Sequence, residues 1–207
     1  TNPAALSQMQ TLLPGTINVN YLFEDGIYKR VQQGDKLNHY SLNTFSYLKI
    51  KDINMYGRFN YDKSYEKGLD FSNVNDPFRL NPYQLIDTIG NDNYDREFFS
   101  AAGGISKPFG NRLILGITTD FKVGLAAQDK DPRPQNKAFN MTLSPGLIYS
   151  FGKFKAGLNL VYKYYNEEAE VVIVKENEQL EFFMLHGLGQ ATSHNAASFN
   201  RLYKRNT

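Results

Sequence analysis

The feature that most constrains this chain is alternation with a period of two over unusually long stretches. In RLILGITTDFKVGLAA, residues 112–127, one set of positions reads Leu113, Leu115, Ile117, Thr119, Phe121, Val123 and Leu125. The other set reads Arg112, Ile114, Gly116, Thr118, Asp120, Lys122 and Gly124. Successive strand side chains point to opposite faces, so an extended chain gives one face almost wholly apolar and one small or charged. A helix would scatter both sets around its circumference. The pattern recurs where Phe139, Met141, Leu143, Leu147 and Tyr149 oppose Asn140, Thr142, Ser144 and Gly146. It returns where Phe154, Ala156, Leu158 and Tyr162 oppose Lys155, Gly157, Asn159 and Lys163. Earlier, Ile17, Val19, Tyr21 and Phe23 oppose Asn18, Asn20 and Glu24, and Met55, Phe59 and Tyr61 oppose Asn54, Arg58, Asn60 and Asp62.

Strand length bears on environment. Strands of soluble domains usually run about 5–6 residues, whereas a tilted membrane strand needs roughly 9–11. The best segments here alternate for longer than that. Seven strands are predicted, over about 16–29, 37–51, 53–70, 95–109, 112–127, 137–151 and 154–174, with an eighth within 178–188. The polar stretch after residue 188 lacks a period and reads as loop. Pro145 stands on the apolar face and cannot donate to a ladder, which predicts a bulge or bend there.

Short breaks at Lys51–Asp52, Gly110–Asn111 and Gly152–Lys153 alternate with longer polar connections at 31–36, 73–94 and 128–136. Tight turns at one end and long loops at the other are the asymmetry of outer-membrane barrels. The expected fold is therefore all-β, an antiparallel up-and-down transmembrane β-barrel. Residues 1–207 are read as a single barrel domain, an N-terminal part of a larger barrel, with a long external loop at about 73–94.

Composition removes several alternatives. There is no cysteine, hence no disulfide or thiolate metal site, and the net charge of +2 is spread without a basic stripe for nucleic acid. No apolar run approaches the roughly 20 residues of a membrane helix. His39, His186 and His194 lack metal-binding spacing, no GxSxG element occurs, and the neighbours Ser193 and His194 are poor partners in an extended chain. No enzyme, cofactor or metal is expected. Asp92 and Asp95 could offer oxygens to calcium but lack an EF-hand spacing.

Asn2-Pro3-Ala4-Ala5-Leu6, just before the first strand, is similar to the NPA element of barrels related to fatty-acid transporters and the OmpP1-like group. With the Tyr- and Asn-rich strands and Gly-containing turns, the pattern resembles the large outer-membrane β-barrels of Bacteroidetes. The resemblance implies a bacterial outer-membrane location, but no substrate. Trp, common in interfacial girdles, is absent, which leaves that role to Tyr and Phe.

Lumen-lining candidates are Arg58, Asp62, Asp120, Lys122, Lys155, Asn159 and Lys163. Asp62, Asp120 and Lys163 are expected at similar height, either tuning selectivity or bracing the wall by pairing. Arg58 and Lys155 are expected lower, at a basic mouth. Phe78, Arg79 and Tyr83 are the external-loop candidates. The functional expectation is a channel or transporter component for a small or hydrophobic solute. The alternatives are a non-conducting barrel subunit of a surface glycan-uptake or protein-secretion complex, and a soluble lipocalin-like binding barrel. Partners would be outer-membrane lipid, surface lipoproteins or other barrel subunits.

Overall fold

A computed structural model describes residues 2–8, 15–30, 32–76, 79, 84–87, 90, 92–128, 133–172, 179–187, 190–197 and 201–206. Within them the chain is all-β apart from a short 3-10 segment, Pro3–Gln8. The strands are β1 (Thr16–Asp25), β2 (Lys36–Ile50), β3 (Ile53–Leu69), β4 (Gln84–Asp87), β5 (Asp92–Phe109), β6 (Leu113–Gln128), β7 (Arg133–Phe151), β8 (Phe154–Asn159), β9 (Tyr162–Val172), β10 (Gln179–Gly187), β11 (Gln190–Ala197) and β12 (Arg201–Asn206). A nine-stranded sheet runs in the order β1-β2-β3-β5-β6-β7-β9-β12, with β8 also on β7, and every pairing is antiparallel. Among the described residues the sheet does not close: its path ends at β1 on one side and β12 on the other.

The three tight turns fall where the sequence places them. Lys51, Gly110 and Gly152 each have positive φ, between 53° and 63°, the left-handed geometry that short hairpin turns use, of two residues at Lys51 and Gly152 and of three at Gly110. All three lie at one end of the sheet. At the other end, connections knit to one another: Lys29 meets Asp70 at 3.4 Å, and the Gly34 amide donates to Glu66 at 2.6 Å.

Two parts of the sequence reading are corrected. A strand does lie within 178–188, β10, but it belongs to a separate three-stranded sheet, β11-β10-β4, and not to the nine-stranded one. The polar tail read as loop supplies β11 and β12, and β12 pairs with β9 from Arg201↔Val171 to Asn206↔Asn166. Period-two alternation is weak in both because neither shows a continuous apolar face. The predicted loop 73–94 holds β4 and the first residues of β5.

The bulge or bend expected at Pro145 is not a register shift: the interruption falls on the partner arm and not on its own strand. β7 continues through it, while the neighbouring arm is interrupted between β8 and β9 at residues 160–161. Leu160 still donates its amide to the Pro145 carbonyl at 3.0 Å. The return bond, which proline cannot supply, is replaced by Ser144 Oγ donating to the Leu160 carbonyl at 3.0 Å. Ser144→Ala should leave that carbonyl unpaired and cost about 1–2 kcal/mol. Chemical denaturation in detergent checks this, and an unchanged midpoint would show the substitute bond to be idle.

Candidate functional site: the covered face of the sheet

The register carries the alternation across the whole sheet. One face collects Leu48, Met55, Ile105, Ile117 and Pro145 along one row, and Leu42, Tyr61, Phe99, Val123 and Phe139 along another. This face is open: Leu115 is 40% exposed, Leu125 50% and Leu158 60%. Tyr21 and Tyr40, Tyr61 and Phe99, and Phe139 and Tyr164 sit ring against ring along its upper part, with Tyr149 and Phe151 together near the tight turns. Beyond the upper rings the same face turns charged, with Lys63 on Asp95 at 2.6 Å and Lys204 on Glu168 at 2.7 Å.

The opposite face is small and polar, and much of it is covered by the chain itself. Near the tight turns the N-terminal segment lies on a floor of glycine. A Cβ on Gly116 would come within 2.5 Å of the Ala4 amide nitrogen, and one on Gly146 within 2.4 Å of Asn2 Oδ1. Asn2 closes its own turn, accepting from the Ala4 amide at 3.0 Å, while its Nδ2 donates to the carbonyls of Leu147 and Leu158 at 3.0 and 3.2 Å. Ser106 Oγ donates to the Ala4 carbonyl at 3.0 Å and also meets Ser7 Oγ. Ala4 is fully buried. The Asn-Pro-Ala element thus has a local role: it is a clasp on glycines about a hundred residues or more away in sequence.

Near the long-loop end a second internal segment covers the same face. Glu167 is 2% exposed and accepts from the Asn75 amide at 2.7 Å, from Asn136 Nδ2 at 3.2 Å and from Tyr165 Oη at 2.6 Å. Asn136 Nδ2 also donates to the Asn73 carbonyl at 3.0 Å. A buried carboxylate is tolerable only with such donors. Leu69, Tyr94 and Ala126 make a small apolar core beneath.

Between these two covers lie most of the candidates. Arg58 and Asp120 form an ion pair at 2.8 Å, so Arg58 stands in the row of Asp120 and not lower with Lys155, which pairs with Ser150 beside the turn. The register puts Arg58, Ala102, Asp120, Thr142 and Lys163 in one row. Asp62 is four residues further along β3, against His39 at 3.5 Å, and so does not share the row of Asp120 and Lys163. Lys122 stands over the Phe98 ring at 4.2 Å, and Arg79 over Tyr165 at 3.6 Å. These two cations and Asn140 border a cavity of about 230 Å³. Asn159 lies half-buried beside the N-terminal clasp, and Lys155 is exposed near the turn. Phe78 and Tyr83 lie outside the described residues. Asp92 and Asp95 fall on opposite faces of β5, Asp92 buried and Asp95 paired with Lys63, so they share no calcium site. Ser193 and His194 occupy successive positions of β11.

Sequence reasoning missed Asn2, Ser106, Asn136, Tyr165 and Glu167. A signal did exist for Tyr165 and Glu167, which share the parity of Lys163.

A family model described as a family of unknown function (DUF6850) matches residues 3–207. The chain belongs to that family. The match runs from Pro3 through the sheet and the terminal strands. No curated protein and no solved structure matches the chain.

Two substitutions test the covers. Gly116→Leu should displace residues 2–8, with protease cleavage in the N-terminal segment rising at least about tenfold, because the new side chain meets backbone and cannot be accommodated. Glu167→Leu should cost about 3 kcal/mol by stranding the Asn75 amide and the Asn136 and Tyr165 donors. Hydrogen exchange localised to residues 72–76 is the measurement, and unchanged protection would refute the clamp.

Proposed function

We propose that this chain is wall and internal cover of a bacterial outer-membrane β-barrel, acting as a channel or transporter component for a small or hydrophobic solute. The observation that carries the reading is the segregation of the two faces: the apolar face stands open, while the polar face is lined with glycine and covered by the chain's own segments. In water that arrangement is inside out. Soluble proteins rarely leave contiguous apolar patches above a few hundred Å². In hydrocarbon it is the low-energy arrangement.

Dimensions and decoration agree. The apolar row of β6 from Leu113 to Leu125 spans about 40 Å along the strand, roughly 28 Å of height at a tilt of ~45°. That matches a hydrocarbon core of about 30 Å. Tyr and Phe rings lie toward both margins of the band, with ion pairs beyond the upper one. The soluble lipocalin-like alternative needs its apolar side chains enclosed, and against it stand Leu115 and Leu158, which lie on the face that no segment of the described chain covers.

The free edges of β1 and β12 complete the proposal. An unpaired edge in lipid strands backbone groups at several kcal/mol each, so in this reading further strands, from the same polypeptide or other copies, close the barrel. The solute path follows the covered face past Arg58, Asp120 and Lys122. The N-terminal clasp narrows it near the tight turns, the periplasmic end of such barrels, and residues 72–76 narrow it at the external end.

Membrane fractionation is the first test. The native protein should stay with outer membranes through carbonate washing and leave only with detergent; folded protein free in the soluble fraction would refute the reading. Planar-bilayer recording then separates the functional alternatives. Open-pore currents, raised by deleting residues 2–8, support a channel or transporter. A silent barrel that co-purifies with surface lipoproteins supports the complex-subunit alternative.

A further inference from the structure

We infer that the open face carries a binding groove for one phospholipid, with the acyl chain lying across the sheet and the phosphate held by Lys107. The inference rests on the membrane reading above. It begins from two glycines that packing within the chain does not explain. Most glycines on the covered face have a neighbour that excludes a side chain: Gly104 has Tyr56, Gly116 and Gly146 have the N-terminal segment, and Gly124 has Phe98. Gly57 and Gly103 differ. A Cβ on Gly57 would meet nothing within 4 Å, and one on Gly103 would make only an ordinary contact at 3.4 Å. Neither has the positive φ that would demand glycine. Glycine inside a strand costs about 0.5–1 kcal/mol relative to alanine, and it marks close approach by a ligand or another backbone. No part of the chain among the described residues makes that approach at Gly57.

The two glycines are direct cross-strand partners, and the register extends their row to Ser46 on one side and to Thr119 and Leu143 on the other. The next row toward the tight turns is bulky, with Leu48, Met55, Ile105 and Ile117, and Phe121 rises on the opposite bank. The result is an apolar groove of about 740 Å³. It crosses five strands, and from β5, the middle one, it runs about 10 Å to either side at the usual spacing.

Charge selects the occupant. Lys107 is exposed on the same face of β5, one rung beyond Ile105 toward the turn, and its Nζ reaches over the Phe109 ring at 5.4 Å. No carboxylate among the described residues lies within ion-pair distance of it. A lysine that snorkels to the margin of an apolar band places an ammonium at headgroup level. A phosphodiester there, with its chain entering the groove beyond Ile105, satisfies both features.

The test uses native mass spectrometry of the full protein extracted in mild detergent and titrated with a sixteen-carbon phosphatidylglycerol. Wild type should retain about one lipid per protein. Gly57→Leu fills open space, so the fold should be unaffected, and it should abolish retention. Lys107→Gln should lower retention about tenfold, the loss of one charge-assisted contact. Retention unchanged by both variants in a protein that still needs detergent overturns the groove and leaves the membrane reading standing. A wild-type dimer that Gly57→Leu converts to monomer, with no lipid retained, overturns the lipid in favour of a second copy. A protein soluble without detergent overturns both readings.

Discussion

Everything in this molecule depends on an antiparallel ladder held in one register across the whole sheet. Because side chains alternate with a period of two, a slip of one residue anywhere would exchange the faces from that strand onward. Leu115 would turn toward the N-terminal segment, and Gly116 would turn away from it. The register is held redundantly. Tight turns with positive φ at Lys51, Gly110 and Gly152 fix three hairpins, and the β5–β6 and β6–β7 ladders each run unbroken from turn to loop. Where the ladder fails, at Pro145, the Ser144 hydroxyl repairs it without a shift, and residues 146↔159 and 143↔162 remain in phase.

Glycine then does two opposite things, according to the face. On the covered face its missing side chain is occupied by the chain's own atoms, so the N-terminal segment can approach the sheet at backbone distance and hydrogen-bond to it through Asn2 and Ser106. On the open face the same absence leaves a hollow bordered by Met55, Ile105 and Phe121. The sequence alone cannot distinguish the two uses. Gly103 and Gly104 are adjacent and read as one close-packing or bending point, yet the pleat sends them to opposite sides, where one meets Tyr56 and the other the groove.

Much of the wall was legible because its determinants are local. Long alternation, turn dipeptides and the contrast of loop lengths gave seven strands with boundaries close to those found, and the apolar face at Leu115 and Leu158 is the exposed one. What was not legible depends on partners distant in sequence. Asn2 acts on carbonyls of Leu147 and Leu158, and Glu167 acts on the amide of Asn75. Neither pairing leaves a trace in local periodicity. The terminal strands were missed for another reason: no continuous apolar face marks them, and β12 is tied to β9 by its ladder and by Lys204 on Glu168 at 2.7 Å. A search for apolar period alone passes over such a strand.

The ion pair between Arg58 and Asp120 shows how burial decides what a charge on the covered face is worth. Both side chains remain nearly half exposed, at 48% and 44%, because neither the N-terminal segment nor residues 72–76 reach them. An exposed pair contributes about 0–1 kcal/mol, too little to brace a wall already held by continuous ladders. Glu167, sealed and fully donated to, is the opposite case: removing it strands its donors. The bracing role anticipated for the inward charges therefore belongs to a residue outside the predicted set. The predicted charges Arg58, Asp120 and Lys122 occupy the stretch left between the two covers. A charge that is weakly engaged with its own protein can exchange partners at little cost, and a charge clamped by three donors cannot.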